Sequence, residues 1–167
     1  MEKVLYLEKE KSITFTGHRI IPFIRQEEVR TQLTTAVALA YKSGITCFYC
    51  GMALGFDMMA AEVVLSLKGK FPDIQLITVV PFSGQSSRWA FSEQERYHRI
   101  LSQANKVVTL SKDYFRGCLL RRNDYMLSHS CGVIAYYDGK PKGGTFYTVR
   151  KAERMKMNVV NIYGKRG

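Results

Sequence analysis

Gly51-Met52-Ala53-Leu54-Gly55-Phe56-Asp57 follows the β-prone run Ile45-Thr46-Cys47-Phe48-Tyr49-Cys50 and opens an amphipathic helix, Met58 to Lys68. A glycine turn between a strand and a helix presents bare backbone N–H groups at a helix N-terminus, where the macrodipole favours an anion. Phosphate is the natural guest, although Gly51 and Gly55 equally serve a tight βα turn and close helix packing. A second glycine turn, Lys142-Gly143-Gly144-Thr145, occupies an equivalent strand-to-helix junction further on. Two such turns in one sheet can face one ligand.

Outward from this stretch, short β-rich runs alternate with longer helical ones. The period predicts strands at 11–16, 45–50, 74–80, 107–110, 133–137 and 159–163. Between them it predicts helices at 26–43, 58–68, 92–103, 119–130 and 145–156. Ser92 with Glu95 three residues later reads as a capping box. Strands alternating with helices specify an α/β fold: a Rossmann-like, three-layer α/β/α arrangement around a mostly parallel sheet. No linker or internal repeat divides the series, so residues 1–167 read as a single domain with an N-terminal extension at 1–10. In such sheets ligands bind beyond the carboxyl ends of the strands, at the topological switch point.

At 167 residues the chain can bury roughly 70% of its unfolded surface and needs no disulfide staple. No apolar run approaches the ~20 residues needed to span a bilayer. The charged N-terminus, Met1 to Lys11, lacks the apolar core of a signal peptide, which points to the cytoplasm. Cys47 and Cys50 form a C-x-x-C inside an apolar strand, without a second matched pair, and read as reduced structural thiols rather than metal ligands. The net charge is +11; from Lys112 onward 12 Lys and Arg face 4 Asp and Glu, a local net of +8. That field suits a phosphorylated ligand or a nucleic acid, as well as a merely solvated face.

The predicted strand ends gather the candidate site. Thr16-Gly17-His18-Arg19 offers a close-approach glycine and a guanidinium able to fork onto phosphate or carboxylate, with His18 more simply a satisfied loop histidine. In the Gly51 turn, Ala53 and Gly55 lie along the ligand-facing backbone, and Asp57 is placed either to bond a ribose hydroxyl or to stabilise the helix start. After the third strand come Pro81, Phe82, Gln85 and Trp89. An aromatic there can stack on a base while Gln85 reads its edge, with Trp89 better read as an anchor beneath the loop. Arg122 and Asn123 near a helix start, and Gly143-Gly144-Thr145 with Lys140 and Lys142, complete the rim. Arg122 is expected to be the main clamp, its guanidinium facing the cleft. The motifs of dinucleotide dehydrogenases, P-loop NTPases, zincins and serine hydrolases are all missing.

Taken in order, Thr16-Gly17-His18-Arg19, the Gly51 to Asp57 turn, Pro81-Phe82, Arg122-Asn123 and Gly143-Gly144-Thr145 resemble the SLOG superfamily, most closely its YpsA-like branch. The resemblance covers roughly residues 12–163. It groups the chain with the DNA-processing protein DprA and with LOG-type nucleoside monophosphate phosphoribohydrolases. It implies a nucleotide or nucleotide-derived ligand, frequent homo-oligomers and sensing roles, with no cofactor, metal or membrane partner. The LOG enzymes carry acidic residues just after their glycine turn, whereas Thr145 is followed by Phe146-Tyr147-Thr148. Arg122 matches the family's arginine, but no catalytic residue is assigned. A ligand-sensing or regulatory module is therefore expected. The alternatives are an N-glycoside hydrolase of nucleoside monophosphates or ADP-ribose-like ligands, with Asp57 or Glu62 as substitute carboxylate, and a DprA-like binder of single-stranded nucleic acid.

Overall fold

Strands that read as continuous apolar runs, rather than alternating ones, must be covered on both sides. The computed structural model, which describes residues 9–164, shows this arrangement. Strands β1 (Ser12–Gly17), β2 (Cys47–Cys50), β3 (Gln75–Val80), β4 (Lys106–Thr109), β5 (Gly132–Tyr136) and β6 (Asn158–Asn161) alternate with helices α1 (Gln26–Lys42), α2 (Phe56–Leu67), α3 (Phe91–Gln103), α4 (Cys118–Ser128) and α5 (Gly144–Arg154). All predicted elements are present, with ends shifted by at most two residues. The sequence reading missed the short 3-10 turn Phe23–Arg25. The extension predicted at 1–10 lies outside the described residues except for its last two.

The sheet is parallel throughout, in the order β4-β3-β2-β1-β5-β6. Thr14 of β1 pairs with Tyr49 of β2 on one side and with Val133 of β5 on the other. From β1 the chain steps outward to β4 and then returns past β1 to β5. The switch point therefore lies between the carboxyl ends of β1 and β5, where the outgoing loops diverge.

One face of the sheet carries the main core. Val29, Leu33 and Val37 of α1, Met58, Ala61 and Val64 of α2, and Tyr97 and Ile100 of α3 pack there with Phe15, Phe48 and Leu76. On the opposite face Met126 of α4 packs with Cys47, Tyr49, Ile77 and Val79, while Leu127 packs with Val149 and Ala152 of α5. Together these layers form a three-layer Rossmann-like α/β fold. Cys47 and Cys50 are buried, free and on opposite faces, because residues an odd number apart in a strand point opposite ways. They cannot ligate one ion together.

The predicted capping box at Ser92 is not formed. Helix α3 starts at Phe91 with Ala90 as its N-cap and no side-chain cap. Gln94 instead reaches back to donate to the Trp89 carbonyl (2.8 Å), tying the helix to the preceding loop. Among the described residues no helix is long and apolar enough to cross a membrane.

Candidate functional site

Two loops cross at the carboxyl ends of β1 and β2, and glycines make the crossing possible. The Phe56 N–H donates to the His18 carbonyl (3.1 Å). A Cβ on Gly17 would lie 2.3 Å from the Phe56 ring, and one on Gly55 would lie 2.1 Å from the Arg19 carbonyl oxygen. Gly55 also has φ +79°, in the left-handed region. Between the glycines, Met52 holds φ 61° with its side chain fully buried, an uncommon backbone state secured by packing.

The floor of the rim is an unusual electrostatic cluster. Arg122, 5% exposed, donates from Nη1 to the Gly51 carbonyl and from Nε to the Asn123 side-chain oxygen (2.8 Å). The predicted clamp is thus buried and partly committed to the backbone. Burial lowers the Arg122 pKa, and the nearby Asp57 carboxylate opposes that shift. Asp57, 6% exposed, accepts the Ala53 N–H at Oδ2 (3.2 Å), while its buried Oδ1 has no partner. Burial pushes the Asp57 carboxyl up to about 6, against the pull of Arg122, the Ala53 N–H and Arg19. A buried carboxylate with an empty acceptor atom is costly unless something binds it.

A cleft of about 440 Å³ opens over this floor at the β1/β5 switch point. Thr16, Gly17, His18 and Arg19 line one side, Ala53 and Asp57 the base, Arg122 and Asn123 the α4 side, and Lys142, Gly143, Gly144 and Thr145 the α5 side. Helices α2, α4 and α5 begin at this rim with Gly55, Gly117 and Gly143 as N-caps, none supplying a side-chain cap. His18 is occupied structurally: its Nε2 meets the Asp138 N–H (2.9 Å) and lies 3.3 Å from the Asp138 carboxylate.

The remaining predicted residues divide. A second cavity of about 560 Å³ shares Arg19, Ala53, Tyr114 and Leu119 with the first and is lined further by Phe82, Gln85 and Trp89. Gln85 is anchored at both ends of its amide, with one N–H and one acceptor lone pair left over. Its Nε2 donates to the Gly51 carbonyl (3.1 Å) and its Oε1 accepts the Tyr97 hydroxyl (3.1 Å). Trp89 packs against the core edge-on to Tyr97, at 5.2 Å between ring centres, as the anchor reading expects. Gly51, Gly55 and Pro81 line neither cavity; Gly51 and Pro81 are buried, and Gly55 is half-buried where the two loops cross. Glu62 pairs with Arg96 and is likewise not part of the cleft.

Sequence reasoning missed Tyr114 and Gly117 in the loop between β4 and α4, and Leu119 in the first turn of α4. The signal was present: Tyr114-Phe115-Arg116-Gly117 places exposed aromatics and a glycine before a helix, the same strand-end logic used elsewhere.

This is a Rossmann-like α/β protein with a rim cleft bordered by Arg19, Arg122 and Lys142. The chain belongs to the YspA SLOG family, whose family model matches residues 14–163. It is 30% identical over 151 residues to a UPF0398 protein of Halalkalibacterium halodurans, covering 89% of this chain and 77% of the relative. A UPF0398 protein of Shouchella clausii is 35% identical over 103 residues, covering 60% of this chain and 55% of the relative. One of Brevibacillus brevis is 30% identical over 115 residues, covering 65% and 61%. The chain thus matches less than two thirds of the length of the last two.

Proposed function

We propose that the protein binds a nucleotide or nucleotide-derived anion in the cleft and acts as a ligand-sensing or regulatory module. The observation that carries this reading is the convergence, over one switch point, of Arg122, Lys142 and two glycine-begun helices on a floor whose Asp57 Oδ1 lacks a partner. The helix starts and cations suit a phosphate, and the orphan acceptor suits a ribose hydroxyl. Free thiols, one of them exposed at Cys131, fit a reducing cytoplasm. Exposed Ile20, Phe23 and Ile24, which follow Arg19 in the chain, supply a surface for the self-association that the resemblance implies. Native mass spectrometry of freshly purified protein, with melting curves across a panel of nucleotides, tests the reading. A retained nucleotide or a dose-dependent rise in melting temperature supports it; no shift with any nucleotide or sugar phosphate refutes it.

One observation favours a second reading. A carboxyl held near pH 6 beside a cleft is poised for general acid or base work, as N-glycoside hydrolysis requires. Release of free base from a nucleoside monophosphate, abolished in Asp57→Asn, would establish turnover.

A further inference from the structure

The second cavity shares a wall with the cleft and is richer in aromatic rings. The cleft takes in Asp57, Arg122 and Lys142 beside Leu119 and Met126, whereas Phe82 and Trp89, with the shared Tyr114, bring three aromatic rings to the neighbouring chamber, which also holds Arg88. Phe82 and Tyr114 stand edge-to-face, 5.3 Å between ring centres, and Tyr114 is 64% exposed. An exposed ring held at the seam of two cavities is poorly explained by packing alone, and π faces lining a chamber suit a planar aromatic guest. At about 440 and 560 Å³, each chamber is large enough for one part of an elongated molecule.

We infer that the two chambers form one bipartite site for a nucleoside diphosphate-type ligand, with the phosphates in the cleft and the base against Phe82, Tyr114 and Trp89. The inference rests on the nucleotide reading above and adds to it the placement and the mode of base recognition. Arg19 stands on the shared wall, where a guanidinium reaches the linking phosphate. Because the Gly51 carbonyl and the Tyr97 hydroxyl fix the Gln85 amide in place, the rings rather than that side chain supply the main hold on the base. Stacking tolerates any base. ADP, GDP, CDP and UDP should therefore bind within about tenfold of one another.

Trp89 is the chain's only tryptophan, so its fluorescence reports on the second chamber alone. Titration with the four nucleoside diphosphates and with inorganic pyrophosphate, each followed by tryptophan fluorescence and by calorimetry, tests the inference. The nucleotides should change the Trp89 signal, while pyrophosphate should bind and leave it unchanged. Phe82→Ala should weaken nucleotide binding about tenfold or more and spare pyrophosphate, and Phe82→Tyr, which keeps the ring, should restore the affinity. Nucleotides that bind with Trp89 silent and with full affinity for Phe82→Ala overturn the bipartite site and leave the nucleotide reading standing. Failure of all five compounds to bind overturns the bipartite site, and the wider nucleotide and sugar-phosphate panel then decides the nucleotide reading.

Discussion

The Gly51 carbonyl accepts a hydrogen bond from Arg122 Nη1, and the guanidinium lies there because Gly51 has no Cβ: one built at that position would sit 2.7 Å from the Arg122 guanidinium carbon. The glycine of the second strand-end turn is thus the seat of the arginine of α4. Gly51→Ala should displace a pinned, buried side chain, lowering stability by about 1 to 3 kcal/mol. It should also weaken ligand binding as Arg122→Ala does. Chemical denaturation and calorimetry on both variants check this, and unchanged nucleotide affinity in Gly51→Ala would separate the glycine from the site.

Arg122→Ala itself should have two effects rather than one. A charge-assisted hydrogen bond is worth about 1.5 to 3 kcal/mol, so affinity for a nucleotide should fall roughly ten- to a hundredfold. Stability should fall as well, since the Gly51 carbonyl and Asn123 lose their donor. With the cation gone, the Asp57 carboxyl should titrate above its wild-type value of about 6, observable by carbon NMR. Arg122→Lys should recover part of the affinity, because it keeps the charge and loses the fork.

The raised Asp57 pKa sets a pH dependence whose sign is fixed. Its ordinary value is 3.8 and its folded value about 6, so between these the folded state binds the extra proton. Stability from this group is present in acid and is lost as pH rises through about 6, a change of about 3 kcal/mol in all. Melting temperatures of the wild type should therefore decline, relative to Asp57→Asn, by on the order of 5 to 10 °C from pH 4 to pH 7. Parallel pH profiles for the two proteins would show that the carboxyl is not perturbed.

Cys131 is the exposed thiol, while Cys47, Cys50 and Cys118 are buried. Burial also pushes the Cys50 thiol well above its usual range. A thiol reagent at neutral pH should modify Cys131 in the native protein and reach the other three only on denaturation. Fast reaction of Cys50 in the folded state would contradict the packing of β2 against α2.

Gly55→Ala should be the most damaging of the rim substitutions. It combines a left-handed φ of +79° with a Cβ 2.1 Å from the Arg19 carbonyl oxygen, and that oxygen belongs to backbone that cannot swing aside. A loss of about 3 kcal/mol or more is expected. Soluble expression and a urea midpoint equal to wild type would show that the two loops can part without penalty.

The element series was legible in the sequence because buried parallel strands and amphipathic helices differ in period, and the glycine turns marked where they meet. Which side chains stay free for a ligand was not legible. Gln85 and His18 carry the right chemistry in the right loops, yet Tyr97 and Asp138, distant in sequence, engage and orient their polar atoms. Arg122 was expected to point freely into the cleft, and only the packed α4 reveals how far it is spent on Gly51. Ser92 failed as a cap because the loop before it, tied by Gln94, delivers Ala90 to that position. Such competition between partners depends on tertiary neighbours and leaves no local pattern.

The Gly51 carbonyl has two donors, Gln85 Nε2 from the β3 loop and Arg122 Nη1 from α4. Each donor borders a different chamber. One backbone oxygen is therefore shared by a side chain from each chamber, so the two walls are tied at a single atom. Thermodynamic reciprocity then requires that whatever factor pyrophosphate confers on nucleoside affinity, the nucleoside returns to pyrophosphate. Substituting either donor leaves the other to hold that oxygen alone.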